Sequence, residues 1–154
     1  MQPRTLARGF SMLEVLVVLG MFAIVAGFGL FVSMETFRGS NFHSDRDLLV
    51  ALLQRARAQA VNNMCTGSAC TDGVPHGVHI ETDKYVLFQG SAYSSSDPLN
   101  STFSANPSVT RPASQDVIFA QLTGNTSATS IALSGGGRSS TISISAQGQI
   151  TWDN

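Results

Sequence analysis

Charge is scarce in this chain of 154 residues. Only 12% of the residues are charged, 9 Lys and Arg stand against 10 Asp and Glu, and the formal net charge is −1. That balance gives no general basic field for gripping nucleic acid. Cysteine is almost missing as well. Cys65 and Cys70 are the only two, they lie close together in CTGSAC, and no C-x-x-C occurs, so a zinc site would want two further ligands. No G-x-S-x-G frames any of the many serines, and no Ser-His-Asp set can be picked out by spacing. The glycine cluster SGGGR (134–138) is not followed by the Lys and Ser/Thr of a phosphate loop, and reads as a flexible hairpin turn with Arg138 solvated. The expectation is therefore no catalytic residue, no metal and no cofactor.

Three histidines remain to be placed. His76 and His79 are spaced H-x-x-H on an expected strand, where residues three apart face opposite sides and cannot share a metal well. His43 stands alone. All three read as structural or surface histidines. A possible basic face of Arg38, Arg46, Arg55, Arg57 and Lys84 is interleaved with Glu35, Asp45, Asp47, Glu81 and Asp83, which reads as a mixed, solvated surface or as subunit salt bridges.

What the chain does have is one long greasy segment. From Val15 to Val32 there are eighteen consecutive uncharged residues, enough as a helix to span roughly 30 Å of hydrocarbon. In front stands MQPRTLARG, with two arginines and no acid, which the positive-inside tendency keeps in the cytoplasm. The C-terminal part is then exported, where one local Cys65–Cys70 disulfide is the natural arrangement and free thiols are the alternative. An ordinary secretory signal has a shorter apolar region with a small-residue cleavage site behind it; here a small residue, Gly9, precedes a full-length apolar run.

Glu14 is the misfit. A carboxylate in lipid costs on the order of 2.5–3.5 kcal/mol on insertion scales. A cut before Phe10 would supply a partner, a new α-amino group that is positive near neutral pH. In a bundle of displaced copies the carboxylate of one chain can meet the amine of the next. Loss of the first nine residues removes Arg4 and Arg8 and leaves 7 basic against 10 acidic residues, a net charge near −3.

The stretch RGFSMLEVLVVL resembles the leader of type IV prepilins and type II secretion pseudopilins: Gly at the cleavage site, an aromatic after it, Glu at the fifth mature position, then an apolar helix. The resemblance implies that prepilin peptidase cuts between Gly9 and Phe10 and N-methylates Phe10. It also implies that Glu14 contacts the N-terminus of a neighbouring subunit.

Beyond the apolar run, Leu49, Leu52, Leu53, Ala56 and Ala60 recur at helical spacing, with Ser44 or Asp45 placed to cap the start and Asn62–Asn63 to end it. Segments 74–81 and 84–90 predict a hairpin, and 116–124, 130–135 and 140–152 predict further strands with apolar residues at alternate positions. Trp152 is expected to close the core edge of the sheet. The stretch 91–115 holds three of the five prolines and reads as a long surface loop.

The order of these features is similar to that of the H-type minor pseudopilins, the FimT/GspH group: LLVALLQRARAQAVNN, then a Cys, then a GV-x-I strand and a closing strand ending in GQI. The fold so implied is α+β and type IV pilin-like, a long N-terminal transmembrane and amphipathic helix packed on a C-terminal antiparallel β domain. Residues 1–9 would be the leader, 10–33 the transmembrane and filament-core helix, 34–64 the extracytoplasmic helix, and 65–154 the β domain. The implied partners are other pilin or pseudopilin subunits, prepilin peptidase and the inner-membrane assembly platform. The implied location is the bacterial cytoplasmic membrane, crossed once, with extraction into a filament. A filament-borne DNA-binding or adhesive minor pilin is the alternative. DNA-binding members of that group carry arginines near the C-terminus, whereas this chain ends in ITWDN, so nucleic acid is not an expected partner.

Overall fold

The computed structural model of the chain describes residues 11–67 and 70–153, apart from the side chains of 29–38. The Gly9–Phe10 junction and the leader lie outside the described residues, as do the last side chains of the expected span. Two compact units divide the chain, Met1–Phe37 and Arg38–Asn154.

Helix α1 runs over Met12–Val61. It begins at Ser11, whose Oγ accepts from the Leu13 N–H at 3.2 Å while its carbonyl accepts from the Glu14 N–H at 3.0 Å. In the first unit the side chains described, 11–28, are all exposed, including Met12 at 87% and Phe28 at 72%. The apolar surface covers every side of the helix, not one stripe, so the unit presents a surface that water does not satisfy. Among the described residues no helix is long and apolar enough to cross a membrane.

The helix shows no start at Ser44 or Asp45; it is already helical there, and Asp45 is buried. Its end is at Asn62–Asn63, as the sequence predicts. Asn63 takes φ +54°, the Asn63 N–H donates to the Ala60 carbonyl, and the Met64 N–H donates to the Gln59 carbonyl. This double closure satisfies two of the carbonyls every helix leaves open.

In the second unit α1 contributes Leu49, Leu52, Leu53, Ala56 and Ala60 to one core. Two sheets supply the rest. The first has the order β3-β2-β1-β4, with β1 at His76–Glu81, β2 at Lys84–Gln89, β3 at Ser101–Ser104 and β4 at Ser114–Phe119, all antiparallel. The second has the order β5-β6-β7, with β5 at Thr129–Gly135, β6 at Arg138–Ile144 and β7 at Ile150–Trp152. Register puts Val78 beside Leu87 and Val117, and Ile80 beside Tyr85, on the core-facing side. Ile131, Leu133, Ile142 and Ile144 line the same core from the second sheet.

Strands β1 and β2 are buried on both faces, which alternation alone would not give. The opposite face of β1 and β2 carries Phe88 and His79, and Tyr93 from the loop after β2 lies against both: its ring stacks on His79 at 3.9 Å and tilts toward Phe88 at 5.6 Å.

Three expectations are corrected here. The stretch 91–115 is not one loop: it includes β3 and a bridge in which Thr110 exchanges both backbone hydrogen bonds with Ser134. Residues 140–152 are two strands separated by a turn at Gly148, where φ is +74°. Trp152 does not close the core; it sits on an edge strand and is 45% exposed.

Candidate functional site

Glu14 occupies the third helical position after Ser11, and its side chain is exposed. The spacing Ser-x-x-Glu is the signature of a capping box, a purely local use for an acid here that also favours the positive end of the helix dipole. Such a cap is worth about 1 kcal/mol. The cost of taking the same carboxylate into lipid is on the order of 2.5–3.5 kcal/mol. Capping alone therefore does not account for an acid in an apolar segment.

Cys65 and Cys70 are joined by a disulfide, with Cα atoms 5.8 Å apart. The loop they close is held to the sheet by the Gln89 side chain, whose Oε1 accepts from the Thr66 N–H at 3.1 Å while its Nε2 donates to the Thr66 carbonyl at 2.8 Å. The bridge thus fixes the chain between the end of α1 and the start of β1.

The histidines separate as expected. His76 is on the core side, its Nδ1 donating to the Val74 carbonyl at 3.0 Å. Burial pushes its pKa below the ordinary value, against the opposing pull of that hydrogen bond. His79 faces the other way, with Nδ1 on the Asp116 carboxylate and Nε2 3.5 Å from Glu81, which in turn pairs with Lys84 at 3.3 Å. This is a cross-strand cluster under the Tyr93 ring, whose hydroxyl donates to Glu81 at 3.4 Å. Among the described residues no group of three His, Cys, Asp or Glu side chains is placed to hold a metal ion.

Among the described residues the expected basic face is divided among separate partners, and the side chains of Glu35 and Arg38 lie outside those described. Arg46 pairs with Asp47, Lys84 with Glu81, and Arg57 tucks against Gly124 and Gly148 while donating to the Gln147 carbonyl at 3.3 Å. Arg138 is exposed, as the sequence predicts, and its Nη1 lies 3.2 Å from His43 Nε2.

The centre of the second unit is a polar knot that the sequence does not reveal. Asp45 accepts from the Tyr85 hydroxyl at 2.8 Å and from the Asn106 N–H at 2.7 Å, and pairs with Arg111 at 3.2 Å. Arg111 also donates to the Asn106 and Val109 carbonyls, and its guanidinium carbon lies 5.1 Å from the centre of the Tyr85 ring. Burial, reinforced by the Asp45 carboxylate, drives the Tyr85 hydroxyl far above the usual phenol range. One carboxylate thereby ties α1 to β2 and to the loop before β4.

The protein family described as GspH, type II transport protein GspH, matches residues 46–148. No curated protein matches the chain, and no solved structure does.

Proposed function

The chain belongs to the GspH family of type II transport proteins, and from that premise we propose that it is a minor pseudopilin: a prepilin-type subunit cut between Gly9 and Phe10, methylated on Phe10, and assembled through its apolar helix into a secretion pseudopilus. The membrane holds it by Val15–Val32 before assembly, with the disulfide-bearing unit on the oxidising side. Other pseudopilins, the prepilin peptidase and the inner-membrane assembly platform are its partners.

One observation carries this proposal: Glu14 stands in the first turn of a helix whose neighbouring side chains are apolar and exposed on all sides. A helix of that kind is covered by lipid or by other helices. The acid inside it then needs a positive partner at similar depth, and the amine freed at Phe10 is the one that processing creates. Packing supplies most of the assembly energy, and the pair selects a staggered neighbour over an aligned one.

Substituting Glu14→Ala separates these roles. The variant is expected to be inserted in the membrane at the wild-type level, since an uncharged residue enters lipid more easily. Its incorporation into the filament should fall by at least about tenfold, the effect of losing roughly 1.4 kcal/mol per subunit contact. Wild-type incorporation, measured by shearing and fractionation, would refute the pairing.

A further inference from the structure

Strand β7 is an open edge of the second sheet. The Ser145 N–H donates to the Gln149 carbonyl at 2.9 Å and the Asp153 N–H to the Thr141 carbonyl at 3.3 Å, so Gln149, Thr151 and Asp153 turn their backbone groups toward β6. In an antiparallel ladder the residues between them turn their N–H and C=O groups the other way. Those residues are Ile150 and Trp152, and among the described residues neither backbone has a partner on that side. Their side chains share one face. Ile150 packs against the core, while Trp152 is 45% exposed.

The edge adjoins a cavity of about 690 Å³ between α1 and the β6–β7 turn, lined in part by Gln54, Arg57, Val61, Asn62, Gln147 and Ile150. That volume is ordinary for a ligand cleft. Ile150 belongs to both the edge and the cavity. Among the described lining residues Arg57 carries the sole charge. Two turns seat it: a Cβ on Gly124, at φ +66°, would come within 3.2 Å of its side chain, and one on Gly148, at φ +74°, within 2.8 Å. A guanidinium has five N–H donors. Arg57 spends Nη2 on the Gln147 carbonyl at 3.3 Å, its buried Nε has no hydrogen-bond partner, and among the described residues no carboxylate pairs with it.

An edge of three residues is by itself a weak template for another strand. The cationic cavity supplies the second hold, as in strand-addition sites where backbone bonds give affinity and side-chain pockets give specificity. Charge complementarity then selects the occupant. We propose that β7 and the Arg57 cavity receive an extended segment of a partner protein, whose backbone pairs with Ile150 and Trp152 and whose Asp or Glu side chain meets the Arg57 guanidinium. A second copy offering its own β7 brings Asp153, whose Oδ1 already accepts from the Thr141 N–H at 2.9 Å, so a different protein fits better. The proposal uses the second unit alone and is independent of the membrane reading.

Trp152 is the only tryptophan in the chain, so its emission reports the edge directly. The full chain in detergent is titrated with a short blocked peptide of alternating Thr and Val with a central Glu, and with the same peptide carrying Gln there. The Glu peptide should shift Trp152 emission to the blue and saturate below about 1 mM, and the Gln peptide should bind about tenfold more weakly for want of a charge-assisted hydrogen bond. Methylating alternate backbone nitrogens of the Glu peptide should abolish binding. Arg57→Gln should erase the difference between the two peptides and Arg57→Lys should keep part of it, with folding of both variants checked by circular dichroism. The peptide comparison on the unaltered chain decides the matter even where a variant unfolds. Equal affinity for the two peptides, no saturable shift, unweakened binding of the methylated peptide, or an undiminished Glu preference in folded Arg57→Gln each overturns the proposal. So does acetate reproducing the shift, which would make the ligand a small carboxylate. A blue shift that grows with protein concentration in the absence of peptide would give the edge to a second copy and also overturn it.

Discussion

Asp45→Ala is expected to lower the stability of the second unit by about 3–5 kcal/mol, the usual result of stripping one partner from a buried ion pair. The carboxylate is 4% exposed and serves three groups at once, the Tyr85 hydroxyl, the Asn106 N–H and the Arg111 guanidinium. Removing it strands a cation whose side chain has no exposure and whose Nε and Nη1 already have no hydrogen-bond partner. For a unit of this size the melting temperature should fall by roughly 10–20 °C, read by circular dichroism on the full chain in detergent. The paired variant Asp45→Leu with Arg111→Met should be less damaged than Asp45→Ala, because two apolar groups leave no buried charge behind. A double variant as damaged as Asp45→Ala, or more so, would show that the stranded charge is not the source of the effect.

Gly148→Ala should cost a further ~3 kcal/mol or more, from a left-handed φ that Ala adopts at about 1–2 kcal/mol and from overpacking of about 1–3 kcal/mol. At φ +74°, a Cβ on Gly148 would lie 2.1 Å from the Gly124 carbonyl oxygen and 2.8 Å from Arg57 Nε. Neither backbone can yield without moving the turn that separates β6 from β7. Gly137→Ala is the internal control. Its φ is similar, +75°, but open space surrounds the added methyl. The difference in melting temperature between the two variants isolates the close approach from the dihedral, and equal losses would contradict the packing argument.

Much of the fold is legible in the sequence because it is written in local patterns. The helical spacing of Leu49, Leu52, Leu53, Ala56 and Ala60 is the packed face of α1, and Asn62–Asn63 is its end. The 74–81 and 84–90 segments are the β1–β2 hairpin within two residues at each end. What escapes is what depends on pairing across the chain. Asp45 has the residue type of a helix cap, but the helix passes through it and its partners are 40 and more positions away at Tyr85, Asn106 and Arg111. Strand β3 is only four residues of Ser, Thr and Phe, too short to show a period, and it exists because β2 offers it an edge. Trp152 looks like a core residue by composition, yet β7 is three residues long and lies at the rim of its sheet.

Of the candidate site, the apolar segment with its lone acid is plain in the sequence. The start of α1 at Ser11 is equally local, its Oγ accepting from the Leu13 N–H two residues on. The Arg138 contact is not local at all: SGGGR is a generic turn until His43, ninety-five positions earlier, proves to be its neighbour.

The proposed pairing of Glu14 requires that proteolysis create the positive charge it meets. Protein recovered from the membrane of a host that carries a prepilin peptidase should begin at Phe10, and its N-terminal peptide should carry one methyl group on the Phe10 nitrogen, both read by mass spectrometry. Recovery of a functional chain that still begins at Met1, or that begins at any residue other than Phe10, would contradict it.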